Sequence, residues 1–142
     1  MKKSIFLFLS VFTLISCGSK EPIPIKWNTD PCDFCKMTIS NSKFAGELIT
    51  DKGRIYKFDD VSCMIRYSKA NSNLTNVKMF ANDYLTENKF IPVEKGFYVK
   101  GGTISAPMHG NFVVFSTIEQ AKEYQPKLNA ELTTWNEIYT NY

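Results

Sequence analysis

Apolar and polar positions alternate along the chain in short runs broken by turn residues. Phe44 to Thr50 reads as a strand, Asp51-Lys52-Gly53 as a hairpin turn, and Arg54 to Phe58 as the returning strand. The period then lengthens. Val61, Met64, Ile65 and Ser68 recur at helical spacing, which predicts a helix from Val61 to about Lys69. Asp59 or Asp60 would cap its start, and Asn71-Ser72-Asn73 would end it. Val77 to Leu85 reads as a further strand. The second half repeats this plan. The shift that lays Phe58-Asp59-Asp60-Val61 over Phe115-Ser116-Thr117-Ile118 also lays Tyr67 over Tyr124 and Gly53 over Gly110. Gly96 to Lys100 and Asn111 to Phe115 then form a second strand pair. Thr117 to Gln125 forms a second helix, with Ile118, Ala121 and Tyr124 inward and Pro126 as its stop. Glu131 to Tyr139 reads as a terminal helix with Leu132, Trp135 and Ile138 on one face. The expected fold is α+β: two related ββαβ-like halves, about residues 32–85 and 86–142, with antiparallel strands and helices packed on them.

The alignment of the halves places Met108-His109-Gly110 where Asp51-Lys52-Gly53 sits, at a hairpin tip. A thioether at a tip buries little area, so core packing is a poor explanation for Met108.

The first residues follow a different pattern. Lys2 and Lys3 precede an apolar run from Ile5 to Ile15, broken only by Ser10 and Thr13. The run is too short to span a bilayer and has the length of a signal-peptide core. Leu14-Ile15-Ser16-Cys17 resembles the bacterial lipobox, which implies cleavage before Cys17 and acylation of that cysteine. Residues 1–16 are then a lipoprotein signal peptide, 17–31 a lipid-anchored tether, and 32–142 the globular domain. Gly18-Ser19-Lys20-Glu21 is polar, Pro22 and Pro24 hold the path extended, and Trp27 marks the expected start of folded structure. Removing 16 of the 142 residues leaves 126, enough for one domain with a core. Losing Lys2 and Lys3 lowers 17 basic residues to 15 against 14 acidic ones, so the net charge of +3 falls to +1. No basic cluster sits on one element, and a nucleic-acid partner is not expected. Gly18 and Ser19 lack a retention aspartate, which favours the outer membrane of a bacterial envelope, facing the periplasm.

Removing Cys17 to lipid leaves Cys32, Cys35 and Cys63. An odd count in an oxidising compartment does not suit a disulfide scaffold. The densest chemistry is Cys32-Asp-Phe-Cys-Lys-Met37, three soft sulfur donors within six residues. Such donors select Cu(I), zinc or iron–sulfur over hard cations, and a methionine favours copper over zinc. Residues two apart in extended chain share a face, so Cys35 and Met37 converge if 35–37 is extended, and Cys32 joins them if Pro31 to Phe34 turns back. Met108 or His109 would complete this site or form a second one if the halves face each other. Rival readings remain open. Cys32 and Cys35 are a candidate redox dithiol or a simple disulfide, although Thr38-Ile39-Ser40-Asn41 is a poor start for the helix that a thioredoxin-type pair opens. Cys32, Cys35, Cys63 and His109 are a candidate zinc set with unusually long spacings. Cys63 and Met64 lie on the first helix, where a core role is the simpler reading. No nucleophile triad, phosphate loop or nucleotide fingerprint occurs, so hydrolase and transferase chemistry is not expected.

At these residues the chain resembles the NosL family, copper-binding accessory lipoproteins of nitrous oxide reductase. The matching pieces are Cys17, the run Cys32-Asp-Phe-Cys-Lys-Met-Thr-Ile39, Phe58-Asp-Asp-Val-Ser-Cys-Met64, Tyr98-Val99 and Ser105-Ala-Pro-Met-His-Gly-Asn111, leading to Phe115 and the helix of Ala121. The resemblance implies two related ββαβ-like halves and Cu(I) bound outside the cytoplasm. It implies Cys32, Cys35 and Met37 as ligands, with Met108 and His109 as further candidates, and no catalytic turnover. It also implies partnership with nitrous oxide reductase and its membrane maturation transporter.

Overall fold

The computed structural model describes residues 20–142, so the expected signal peptide and Cys17 lie outside the described residues. Among the described residues, seven strands and three α-helices follow one another. They are β1 (Gly46–Ile49), β2 (Ile55–Phe58), α1 (Val61–Ala70), β3 (Lys78–Asn82), β4 (Phe90–Pro92), β5 (Phe97–Lys100), β6 (Phe112–Phe115), α2 (Ile118–Lys127), β7 (Glu131–Thr133) and α3 (Trp135–Thr140). The fold is α+β, as expected.

The strands form two antiparallel sheets, ordered β2-β1-β3-β4 and β6-β5-β7. In each, the first strand of a hairpin is central, and a third strand returns after a helix to pair on its other edge. The β1–β2 connection is short, whereas residues 101–111 form a long loop between β5 and β6. A parallel bridge between Asp83 and Val114 joins the two sheets.

The faces follow from the alternation. Gly46 and Leu48 of β1 lie opposite Phe58 and Tyr56 of β2 and opposite Ala81 and Met79 of β3, on one face of the first sheet. That face joins Val61, Cys63, Met64 and Ile65 of α1 and Tyr98, Phe112 and Val114 of the second sheet in one apolar cluster. Val99, Val113 and Phe115 point the other way, onto Ala121 of α2. All four residues of β6 are therefore buried, and its sequence Phe-Val-Val-Phe shows no alternation.

Two expected elements differ, and one strand appears that the pattern did not predict. The terminal helix starts only at Trp135, because Thr134 and Glu137 form a capping box there, and Glu131–Thr133 instead extends the second sheet along β5. Leu132 is consequently exposed and not on a helix face. Pro126 sits inside the last turn of α2, which closes one residue beyond it through Leu128 N–H on the Tyr124 carbonyl. The strand β4 was not expected from the pattern; it is three residues long and lies at a sheet edge.

The proline-containing segment before the first cysteine is docked ahead of Trp27. Ile25 is buried. The Ile23 N–H donates to Glu47 Oε2 at 3.0 Å, and Ile25 N–H donates to Asn88 Oδ1 at 2.8 Å. Lys57 Nζ donates to the Pro24 carbonyl at 3.3 Å and pairs with Asp30 at 2.6 Å. The segment crosses the face of the first sheet that carries Glu47 and leads into the cysteines.

Candidate metal centre

Four side chains converge at the meeting of this segment, β2 and α1. The sulfurs of Cys32, Cys35 and Cys63 and a carboxylate oxygen of Asp59 all lie within 4.8 Å of one another. Among the described residues this is the cluster of cysteine, histidine and carboxylate groups able to hold a metal ion.

Each is placed by local geometry. Pro31 and Thr38 form an antiparallel bridge, and between them the chain turns back on itself. Cys32 N–H donates to the Met37 carbonyl at 2.8 Å, and Lys36 N–H to the Cys32 carbonyl at 3.0 Å. Asp33 anchors this turn to the edge of β2. Its N–H donates to the Lys57 carbonyl, and its Oδ2 accepts the Lys57 N–H, both at 2.8 Å. Cys32 is thereby set beside the end of β2. Asp59 is the first residue after β2, and Cys63 occupies the third position of α1. The start of α1 is fixed by Asp60, whose Oδ1 accepts Ser62 N–H at 2.8 Å. The two adjacent acids thus have separate tasks: Asp60 caps, and Asp59 faces the thiols.

The site is nearly closed. Cys32 and Cys63 have no exposed surface, and Asp59 has 3%. Cys35 is half-buried and gives the cluster its opening, flanked in sequence by exposed Phe34 and Met37. Cys35 Sγ–H donates to Asp59 Oδ1 at 3.3 Å. All three cysteines are free thiols. A hydrogen bond from the Cys63 thiol lowers the Cys32 pKa to about 6 against the opposing effect of burial. The same contact, with burial second, pushes the Cys63 thiol strongly up. Burial raises Cys35 to about 11. One thiolate held by a neighbouring thiol is a soft, preorganised donor.

The donor chemistry fits a soft cation. Three cysteine sulfurs suit Cu(I) or Zn(II), and a lone carboxylate beside them does not make a hard-cation site. Metal binding would displace the remaining thiol protons.

The structure places several of the expected ligand candidates otherwise than the sequence pattern suggests. Lys36 has φ 67°, left-handed backbone, so residues 35–37 are not extended and Cys35 and Met37 do not share a face. Met37 is 44% exposed. His109 is exposed on a turn, also with positive φ, and takes no part in the cluster with Cys32, Cys35 and Cys63. Met64 is fully buried core, its Cε near Gly46. Met108 does not stand free at a tip, for its side chain is half-buried against the apolar cluster that contains Cys32 and Cys63. Cys63, expected as a core residue or as a member of a zinc set with Cys32, Cys35 and His109, faces the thiols, and Asp59, expected only as a helix cap, faces them too. The spacing of Asp59 and Cys63 across a helix start was the available signal.

The fold and site define a class: a small α+β protein with two antiparallel sheets and a largely buried three-thiol, one-carboxylate cluster beside β2 and α1. The chain belongs to the NosL family, whose family model matches residues 22–142. No curated protein matches it. Among solved structures it is similar to the crystal structure of the copper chaperone NosL from Shewanella denitrificans. The TM-score is 0.67 at 19% identity, over 84% of this chain and 96% of that one.

Proposed function

We propose that this protein is a membrane-anchored, extracytoplasmic Cu(I)-binding metallochaperone that delivers copper for assembly of the copper centres of nitrous oxide reductase. The observation that carries the reading is the convergence of Cys32, Cys35 and Cys63 with Asp59 within 4.8 Å on the fold of a family whose solved relative is a copper chaperone. Copper is the cargo, and the chemistry is ligand exchange without turnover. The buried thiols hold Cu(I), and half-exposed Cys35 is the sulfur that an acceptor's ligands reach first. A lipid on Cys17 would keep the domain at the periplasmic face of the outer membrane and raise its local concentration near its partners, nitrous oxide reductase and the associated membrane transporter. Among the described residues no helix is long and apolar enough to cross a membrane.

Anaerobic titration of the reduced protein with Cu(I) against a competing chelator tests the reading. The wild type is expected to hold one Cu(I) far more tightly than a Cys32→Ser/Cys35→Ser variant. Equal affinities, or tight Zn(II) binding with weak Cu(I) binding, would overturn it.

A further inference from the structure

Asp60 makes more contacts than a helix cap requires. The corresponding caps of α2 and α3 are neutral, Thr117 and Thr134. Asp60 is a carboxylate with only 2% of its surface exposed. One oxygen, Oδ1, caps α1 through Ser62 N–H. The other, Oδ2, reaches into the second unit, where it accepts Met108 N–H at 3.0 Å and Gly110 N–H at 3.2 Å. The Asp60 carbonyl accepts Cys63 N–H at 2.9 Å. One residue therefore holds both the thiol-bearing turn of α1 and the end of loop 101–111.

Gly110 independently shows how close the approach is. A Cβ there would come within 2.5 Å of Asp60 Oδ1, although Gly110 is not among the glycines of positive φ. The glycine is required by the carboxylate and not by the backbone. The turn so held carries Met108, whose side chain packs against the cluster containing Cys32 and Cys63.

We propose that Asp60 is a positioning residue for cargo exchange: its carboxylate clamps the Met108–Gly110 turn onto the start of α1, and the clamped loop governs passage of the soft cation to and from the thiols. The proposal rests on the metallochaperone reading for its cargo. Cys32 and Cys63 have no exposed surface, so a cation reaches them only past Cys35 or past a neighbouring segment that yields. The Met108 turn is held at the start of the helix that carries Cys63, and both of its hydrogen bonds to the cap of α1 fall on one oxygen.

Two full-chain variants test this. Asp60→Asn keeps a good N-cap but replaces one acceptor oxygen with an amide. Gly110→Ala keeps both carboxylate oxygens and pushes the turn off them by a Cβ that meets Oδ1, so it carries the test if Asp60→Asn fails to fold, with the Ser62 amide, which bonds the same oxygen, as the control for the cap. Hydrogen exchange at the Met108 and Gly110 amides of the metal-free protein is expected to quicken about tenfold in both variants, as hydrogen bonds to a charged acceptor are lost. Transfer of Cu(I) to a chelator, followed by stopped flow, is expected to quicken by a similar factor, and that gain should vanish in a Met108→Ala background. Unchanged amide protection overturns the clamp. An unchanged transfer rate, or an equal gain in the Met108→Ala background, overturns the link to exchange. A wild type that binds no Cu(I) defeats the metallochaperone reading instead, while the amide measurement still decides the clamp.

Discussion

The helices α1 and α2 occupy matching places in the two units, yet they are used differently. Each follows a strand ending in a fully buried phenylalanine, Phe58 or Phe115. Each phenylalanine packs on a tyrosine from its own helix, Tyr67 or Tyr124, at the same centroid separation of 5.3 Å. The difference begins at the cap. In α2 the third helical residue is Gln120, whose side chain bonds back to Thr117 N–H and completes a capping box. In α1 that position is Cys63, and the reciprocal bond is absent. The first five residues of α1 are buried, whereas α2 buries only Ala121. The same supporting geometry therefore carries a cluster able to hold a metal in one unit and plain structure in the other. What separates them is a few positions at a helix start.

Three measurements can break or sharpen this comparison. The largest effect should come from the matched phenylalanines. Phe58→Ala and Phe115→Ala each should lose about 3–5 kcal/mol in denaturant unfolding, through lost burial and a residual cavity. Only Phe58→Ala should also weaken metal binding, because Phe58 shares the cluster of the cysteines and Phe115 does not. Equal effects on binding would mean the two units are not functionally distinct. Next is the matched helix position. Cys63→Ser should lower Cu(I) affinity about a hundredfold, equivalent to about 2.7 kcal/mol, and Gln120→Ser should leave it unchanged. A Cys63→Ser protein with wild-type affinity would reduce the centre to the Cys32 and Cys35 pair.

The smallest effect concerns a feature of the first unit alone. Glu47 is fully buried beneath the docked N-terminal segment, with Oε2 accepting Ile23 N–H and Oε1 unpartnered. Burial raises its pKa to about 7 from an ordinary 4.5. Lys57 on β2 opposes this shift, and Asp30 in the segment adds to it. The folded protein then favours the protonated form. Below about pH 4.5 both states are protonated and Glu47 contributes no pH dependence. As pH rises toward about 7 the unfolded chain ionises first, and stability falls. Above that the loss is complete. Glu47→Gln should flatten this slope and raise stability at pH 8 by about 2 kcal/mol. A pH profile of the variant parallel to the wild type would show that the carboxyl is already hydrated.

The strands and helix starts were legible because alternation, turn residues and caps are local signals, and β1, β2, α1, β5, β6 and α2 all begin near their expected positions. The strands β4 and β7 were not, since three residues at a sheet edge carry too little pattern to read. The site divides the same way. Cys32 and Cys35 announce themselves by spacing. Cys63 and Asp59 join them only because Asp33 ties their turn to Lys57, a long-range pairing with no trace in local periodicity. The extended path expected for residues 35–37 does not form because Lys36, a non-glycine residue, adopts left-handed backbone in a run that otherwise reads as extended.

The docked N-terminal segment also determines where mechanical load enters the molecule. A pull on the chain ahead of residue 20 meets Ile23 on Glu47, then Pro24 on Lys57, then Ile25 on Asn88. The Asp30–Lys57 pair and the Asn28 N–H on the Ile39 carbonyl lie further along the same path. Force is thus shared across the first sheet before it reaches Cys32. A tug at the leading end must first break or stretch these contacts before it loads the sulfur cluster, as a strain relief protects a soldered joint.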